Sequence, residues 1–215
     1  MDPTRDGLNW YVYAYNNPLK YVDPTGMWGK EIHYGDEKWG TLRWARDLGF
    51  SDKQAHLIAS ANHGTDFGLL TNPLLLIVGQ KYHFNTNPNG IDSRIIVAEQ
   101  HLDKAIALYN KAMSTKGKGE GLIKWSNNLV ASVLEGQAMI HLGKGLHAIQ
   151  DISAHIDDFV RSTAVLGITI YDHLWKEGKD ADKAGSPQAP DKRVLDAEKD
   201  TKDYLTRFRT GVGLQ

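Results

Sequence analysis

The chain has 215 residues, 41% hydrophobic and 24% charged, with a formal net charge of −1; this is enough apolar content for one sizeable core without staples. No basic run marks it as a duplex-DNA binder, although single-strand contacts stay open. Cysteine is absent, which excludes disulfides and thiolate metal sites, so any metal must be held by His, Asp, Glu or main-chain groups. No signal peptide or membrane-spanning stretch is visible: Leu74 to Val78 is too short to span and begins beside Pro73. The expectation is a soluble protein that needs other machinery to leave its cell.

The first 27 residues are unlike the rest. Gly7 to Pro18 reads as a Tyr/Asn-rich alternating strand closed by a turn, and Tyr21-Val22-Asp23-Pro24-Thr25-Gly26 repeats the pattern in miniature. From Trp28 onward the periodicity is helical. Glu31 to Leu48 reads as a first helix ending at Gly49, a natural left-handed cap. Ser51 caps a second helix, with Gln54 at the capping-box position, running to about Asn62 before Gly64-Thr65-Asp66 breaks it. A loop rich in Asn, Pro and Gly comes next, with an apolar insert at Leu69 to Val78 and the tripeptide Tyr82-His83-Phe84. Residues 92–114 fit a long amphipathic helix, and Lys116 to Gly121 a flexible turn. Another helix covers about 122 to 158, with a kink expected near Gly143 or Gly145, and a last one spans about 191 to 209. No internal repeat is evident. The class is all-α, a helical bundle preceded by a short strand.

The densest chemistry lies on the fourth of these helices. His147, Asp151 and His155 fall at i, i+4 and i+8, so two imidazoles and a carboxylate line one stripe, while Leu146, Ile149 and Ile152 line another face. Borderline cations such as zinc take nitrogen and carboxylate oxygen together, and ligands one turn apart reach one ion or two neighbouring ions. His173 and Glu177 form a further i, i+4 pair. His56, His63, His101 and His141 have no second ligand at clear spacing, and His141 reads as structural because six residues rotate it to the opposite face from His147.

Residues 2–27 resemble the end of an Rhs/YD-repeat core, in which a repetitive β shell finishes in an N-x-Y-x-Y, N-N-P, D-P-x-G signature just before a variable toxin domain. The resemblance implies two units: 1–27, the remnant of the core, and 28–215, a toxin domain that the shell encloses. It also implies self-cleavage after Met27, delivery of a secreted effector into a target cell, and a cognate immunity protein as partner.

From Trp28 to about Glu177 the order of ligands is similar to the trinuclear zinc site of bacterial phospholipases C and the related single-strand nucleases. Carried over residue by residue, the resemblance implies that Asp66, His83, His147 and Asp151 hold one zinc. His155, His173 and Glu177 would hold a second, and His33 with a bridging Asp151 a third. Asp180 or Asp182 is the alternative to Glu177. The Ile-Ser-Ala spacer between Asp151 and His155 is shorter than the family's Pro-containing one, which leaves helical continuity to place His155. In that family the third zinc also takes the free amine and carbonyl of an N-terminal Trp, and here Trp28 directly follows the expected cut at Met27.

Two or three clustered zinc ions would neutralise a phosphodiester, activate a water and stabilise the leaving oxygen. By analogy with the family, Asp66 would orient or deprotonate that water. Near-zero charge and the apolar loop at Leu69 to Val78 favour a lipid phosphodiester, hence a phospholipase C acting on membrane lipids. The alternative is a single-strand nuclease, for which Trp39, Trp44, Trp125 and Trp175 are candidate stacking aromatics. A second alternative is a non-enzymatic helical binding module held by one structural zinc.

Overall fold

A computed structural model of the chain describes residues 30–68, 70–71, 79–83, 85–87, 90–154, 163–165, 168–170, 185–186, 189–190 and 192–214. These residues are mostly helical, as the periodicity requires. In chain order the helices are α1 (Lys30–His33), α2 (Gly40–Asp47), α3 (Asp52–Gly64), α4 (Gln80–His83), α5 (Ser93–Thr115), α6 (Gly121–Ala154) and α7 (Lys192–Gly211). Between α6 and α7 lie two short antiparallel pairings: β1 (Thr163–Val165) with β2 (Ile168–Ile170), and β3 (Gly185–Ser186) with β4 (Ala189–Pro190). The strand expected within residues 1–27, with its cleavage motif, lies outside the described residues.

The long helix α6 is the axis of the bundle, and α3, α5 and α7 all pack against it. Its core side is filled by Met139, Leu142 and Leu146, which meet Ile58 of α3, Leu102 of α5, and Leu205 and Phe208 of α7. A smaller cluster of Ile32, Trp44, Val194 and Ala197 ties the N-terminal helices to α7. Burial of such side chains is worth about 1.5–3 kcal/mol each and is the main force holding the helices in register.

The first helix departs from expectation, because Glu31 to Leu48 is not continuous. It divides into α1 and α2 at Gly35 and Gly40, both at positive φ (84° and 81°). The two glycines approach so closely that a Cβ on Gly35 would lie 2.7 Å from the Gly40 Cα. Asp36 closes the turn by accepting from the backbone N–H of Lys38 and Trp39 at 2.6 and 3.1 Å. The break lets α1 run in its own direction, so that His33 at its end enters the bundle.

Local chemistry fixes the other helix starts. Ser51 and Gln54 form the expected capping box at α3, and Asp92 caps α5 by accepting from the Arg94 N–H at 2.9 Å. The α5–α6 turn uses positive φ at Gly117, Gly119 and Gly121. Gly143 and Gly145 lie within α6, which is continuous from Gly121 to Ala154. Their role is close packing: a Cβ on Gly143 would sit 2.7 Å from Ala61 Cβ and 2.8 Å from Asn62 N, and one on Gly145 would collide with the Tyr204 hydroxyl. The close approach at Gly143 brings the C-terminal end of α3 beside the ligand-bearing end of α6. The expected continuation of α6 to residue 158 lies outside the described residues.

Candidate metal centre

Five residues from four parts of the chain meet at this end of the bundle. His33 comes from α1, Asp66 from the turn after α3, His83 from α4, and His147 and Asp151 from one face of α6. Both histidines of α1 and α4, together with His147 and Asp151, are fully buried, and Asp66 alone of the five is partly exposed. Their ligand atoms form two overlapping groups, His33/Asp66/His147 and His83/His147/Asp151, with the atoms of each group within 4.8 Å of one another.

The surrounding hydrogen bonds determine which nitrogen of each ring carries a proton. The Thr41 hydroxyl donates to the Ile32 carbonyl at 3.2 Å, so its lone pairs receive Asn62 Nδ2 (2.9 Å) and Gln150 Nε2 (2.8 Å). Gln150 Nε2 also donates to Thr201 Oγ1 at 2.9 Å. With both amides oriented in this way, Asn62 Oδ1 faces His147 Nδ1 at 3.2 Å and Gln150 Oε1 faces His33 Nδ1 at 2.9 Å. Each ring must donate there. His83 is fixed from the other side, because its Nε2–H donates to the Thr71 carbonyl at 2.9 Å. The Thr71 hydroxyl in turn donates to the Thr65 carbonyl at 2.6 Å, which folds the turn bearing Asp66 onto the site.

The three remaining nitrogens, His33 Nε2, His83 Nδ1 and His147 Nε2, therefore converge on one space, where each offers a lone pair whenever it carries no proton. His83 Nδ1 and His147 Nε2 are only 3.0 Å apart. Asp151 Oδ2 lies 3.1 Å from His83 Nδ1 and 3.4 Å from His147 Nε2, while its Oδ1 lies 3.4 Å from His33 Nε2. Asp66 Oδ1 is 3.5 Å from His147 Nε2 and 3.9 Å from His83 Nδ1. His33 Nε2, Asp66 Oδ1 and Asp151 Oδ1 are buried without any hydrogen-bond partner. Converging lone pairs and orphaned carboxylate oxygens repel one another unless a cation lies among them, and burying polar atoms unpaired costs about 1–3 kcal/mol apiece. These five residues could hold a metal ion, and the donor set, imidazole with carboxylate, suits a borderline divalent cation.

The charges bear the same mark. Burial opposes a charge on His33, but the Asp151 carboxylate, 3.4 Å from Nε2, and the nearby charge of Asp66 outweigh that, raising it to about 9. Burial pushes the His147 imidazole down, against the pull of Asp151 and Asp66. Burial would raise Asp151, but His147, His33 and His83 hold it well below the usual carboxylate range. A carboxylate kept ionised among these imidazoles is a place for positive charge, which a proton on His33 or a bound cation can supply.

The structure thus brings together His33, Asp66, His83, His147 and Asp151, five of the nine residues the sequence singled out. Trp28, His155, His173 and Glu177, with the alternatives Asp180 and Asp182, lie outside the described residues. Of the candidate stacking aromatics, Trp44 is 2% exposed in the small cluster under α7, and Trp39 packs beside it. Trp125 is exposed, but 22 residues before His147 on α6, about 33 Å along the axis. Trp175 is among the undescribed residues.

Sequence reading missed the supporting shell of Asn62, Gln150 and Thr41, and also Arg94, whose Nη1 donates to the Asp151 carbonyl at 2.8 Å. Asn62 stands one turn before Asp66, a spacing that could have flagged it; Thr41 offers no sequence signal. It also missed a histidine pair outside the cluster. His101 and His141, 40 residues apart, meet with their Nδ1 atoms at 2.7 Å, and Tyr82 Oη lies 3.1 Å from His101 Nε2. His141 is a packing residue between α5 and α6, as its face on the helix requires.

Fold and site together define a class: an all-α bundle with a buried His/Asp cluster able to hold a metal ion. The chain matches no family model, no curated protein and no solved structure.

Proposed function

We propose that residues 28–215 are a zinc-dependent phosphodiesterase of the phospholipase C type, the toxin tip of an Rhs/YD-repeat protein, acting on membrane lipids of a target cell. The observation that carries the catalytic part is the convergence of three imidazole nitrogens and two carboxylates, four of the five residues buried and Asp66 partly exposed. Buried polar groups left without partners call for an explanation, and a bound cation is the one this donor set suits.

In this reading Asp66, His83, His147 and Asp151 would hold one ion, and His33 with Asp151 would contribute to the site of another. Zinc, when bound, would supply Lewis acidity toward the phosphoryl oxygens and lower the pKa of a coordinated water. The chain's own residues do the rest. Asn62 and Gln150 hold the rings of His147 and His33 in the ligating tautomer. Asp66, partly exposed and with a free Oδ1, is the group able to orient an attacking water and take its proton. The toxin and delivery part rests on the residue 2–27 signature, and an immunity protein and an enclosing shell are the partners it calls for.

The single-strand nuclease keeps the same centre but loses support from Trp44, which is buried in the core, and Trp125, which is far from the ligands. The test is zinc-loaded protein assayed in parallel on phospholipid vesicles and on single-stranded DNA and RNA. The proposal requires release of a phosphorylated head group with diacylglycerol left behind, and loss of that activity in Asp66→Asn. Cleavage of nucleic acid with vesicles intact would replace it with the nuclease. One tightly held zinc without hydrolysis of either would leave the structural binding module.

A further inference from the structure

The end of α6 farthest from the metal cluster carries a group of exposed apolar side chains. Residues 116–126, covering the α5–α6 turn and the first helical turns of α6, are all exposed. Large apolar side chains are among them: Leu122 is 79% exposed, Ile123 64% and Trp125 63%, and the face continues through Leu129 and Val133. Five large apolar residues on one projecting helix exceed the scattered exposure expected of a soluble surface and mark an interaction site. The ends of α3 explain why the face is uncovered. Gln54, near the start of α3, reaches Glu135 of α6 at 2.8 Å, so α3 begins at that level and covers only the later turns of α6.

Charge selects the occupant. From Ser114 to Val133 the chain carries Lys116, Lys118 and Lys124 against a single acid, Glu120. A second copy docked tip to tip would bring like-charged lysines together, which is unfavourable. A bilayer with anionic head groups accepts both features at once: apolar side chains enter the acyl boundary, Trp sits at the head-group level, and lysines reach the phosphates. Helical spacing adds an orientation. Leu122, Leu129, Val133, His147 and Asp151 succeed one another at intervals of 7, 4, 14 and 4 residues, which keeps them in one narrow sector of α6. The apolar stripe thus runs along the helix toward the ligands on the same side.

We propose that the α5–α6 tip is a membrane-docking surface, recognising a bilayer that contains anionic phospholipid. No described helix is long and apolar enough to cross a membrane, so this is attachment to the interface. His147 lies 22 residues beyond Trp125, about 33 Å along α6, so the tip anchors the chain to the surface that holds the lipid substrate; that purpose rests on the phospholipase reading, and the attachment itself does not.

The full chain is tested with chelator present, so that no hydrolysis intervenes, by co-sedimentation with vesicles of phosphatidylcholine alone or of phosphatidylcholine mixed with phosphatidylglycerol. Binding to the mixed vesicles is expected. Each lysine near an anionic surface is worth about five-fold, so Lys116→Gln/Lys118→Gln/Lys124→Gln should weaken it about 100-fold. Leu122→Glu/Trp125→Glu should abolish it, and because all these side chains are exposed, both variants should keep the parent melting temperature. Equal binding to both vesicle types, no binding, or binding unchanged in either variant overturns the proposal. So does a dimer in sedimentation velocity that Trp125→Glu dissociates, or an oligonucleotide complex at these lysines without vesicle binding. With zinc restored, bis(p-nitrophenyl) phosphate separates the two readings, since it needs no membrane. Its hydrolysis without vesicle binding removes the tip and keeps the enzyme, whereas vesicle binding without any hydrolysis keeps the tip and removes the enzyme.

Discussion

Asn62→Ala tests whether the shell of hydrogen bonds prepares the metal centre. Asn62 makes three buried contacts: its Nδ2 donates to Thr41 Oγ1 and Gln150 Oε1, each at 2.9 Å, and its Oδ1 accepts from His147 Nδ1 at 3.2 Å. After truncation Thr41 keeps Gln150 Nε2, and Gln150 keeps His33, so neither is stranded. Only the His147 Nδ1–H loses its acceptor, and one orphaned buried donor costs about 1–3 kcal/mol. The ring is then free to shift its proton to Nε2, the nitrogen that faces the ligand cluster, so metal affinity should fall about 10–100-fold. Competition with a chromophoric zinc chelator measures the affinity, and denaturant melts of the metal-free protein measure the stability. Ser51→Ala is the control, because it removes the α3 cap and about 1 kcal/mol without touching a ligand. Unchanged zinc affinity in Asn62→Ala, or an equal loss in Ser51→Ala, would refute the argument that the tautomer is set for a cation.

Asp151→Ala should lose more bound zinc than any other single ligand variant, since both its oxygens face imidazole nitrogens; elemental analysis of the purified protein checks this. Chelation of the loaded protein should lower the melting temperature: at a thousandfold excess over Kd the ion contributes about 4 kcal/mol, or roughly 8–16 °C for a chain of this size. For the metal-free protein, burial together with neighbouring histidine and lysine charges depresses His101 to about 3, and burial with lysine charges depresses His141 to about 4. The unfolded chain therefore takes up protons that the folded one refuses, and stability falls as pH drops from about 6.5 toward 4. His101→Gln/His141→Gln should flatten that limb in chelator-containing melts, and an unaltered slope would count against it. A chain starting at Trp28, whose α-amino group has a reference pKa of ~7.7–8.0, should carry more zinc and turn over faster than the 1–215 chain. One Gly added before Trp28 should remove the gain, and equal zinc and rates for all three N-termini would show the amine to be irrelevant.

What could be read in the sequence depended on the distance over which each signal acts. Capping at Ser51 and Asp92 and the amphipathic period of α5 are local, and the helices appear where those signals put them. The ladder of His147 and Asp151 was legible for the same reason, because one helical turn converts spacing into proximity. The break between α1 and α2 was not, since Glu31 to Leu48 has a helical period throughout. Gly35 and Gly40 end it by approaching each other, which is a relation between two residues and not a property of either. Likewise nothing near His101 announces His141, and nothing near Thr41 announces Gln150; these pairs exist only after α2, α5 and α6 have packed.

The packing also explains why His33, the most isolated ligand in the sequence, reaches the cluster. Were α1 and α2 one helix, residue 33 would be held to the direction of residues 40–47, whose apolar face is claimed by Leu42, Trp44 and Ala45. The turn at Gly35 releases α1 from that constraint while Thr41 Oγ1, bonded to the Ile32 carbonyl, ties it back at one point. That same hydroxyl accepts from both Asn62 and Gln150, the residues that fix His147 and His33. One threonine at the start of α2 thereby joins the placement of His33 to the tautomer of two ligands. The geometry of the centre is thus a property of the packed bundle, set by contacts among α1, α2, α3 and α6.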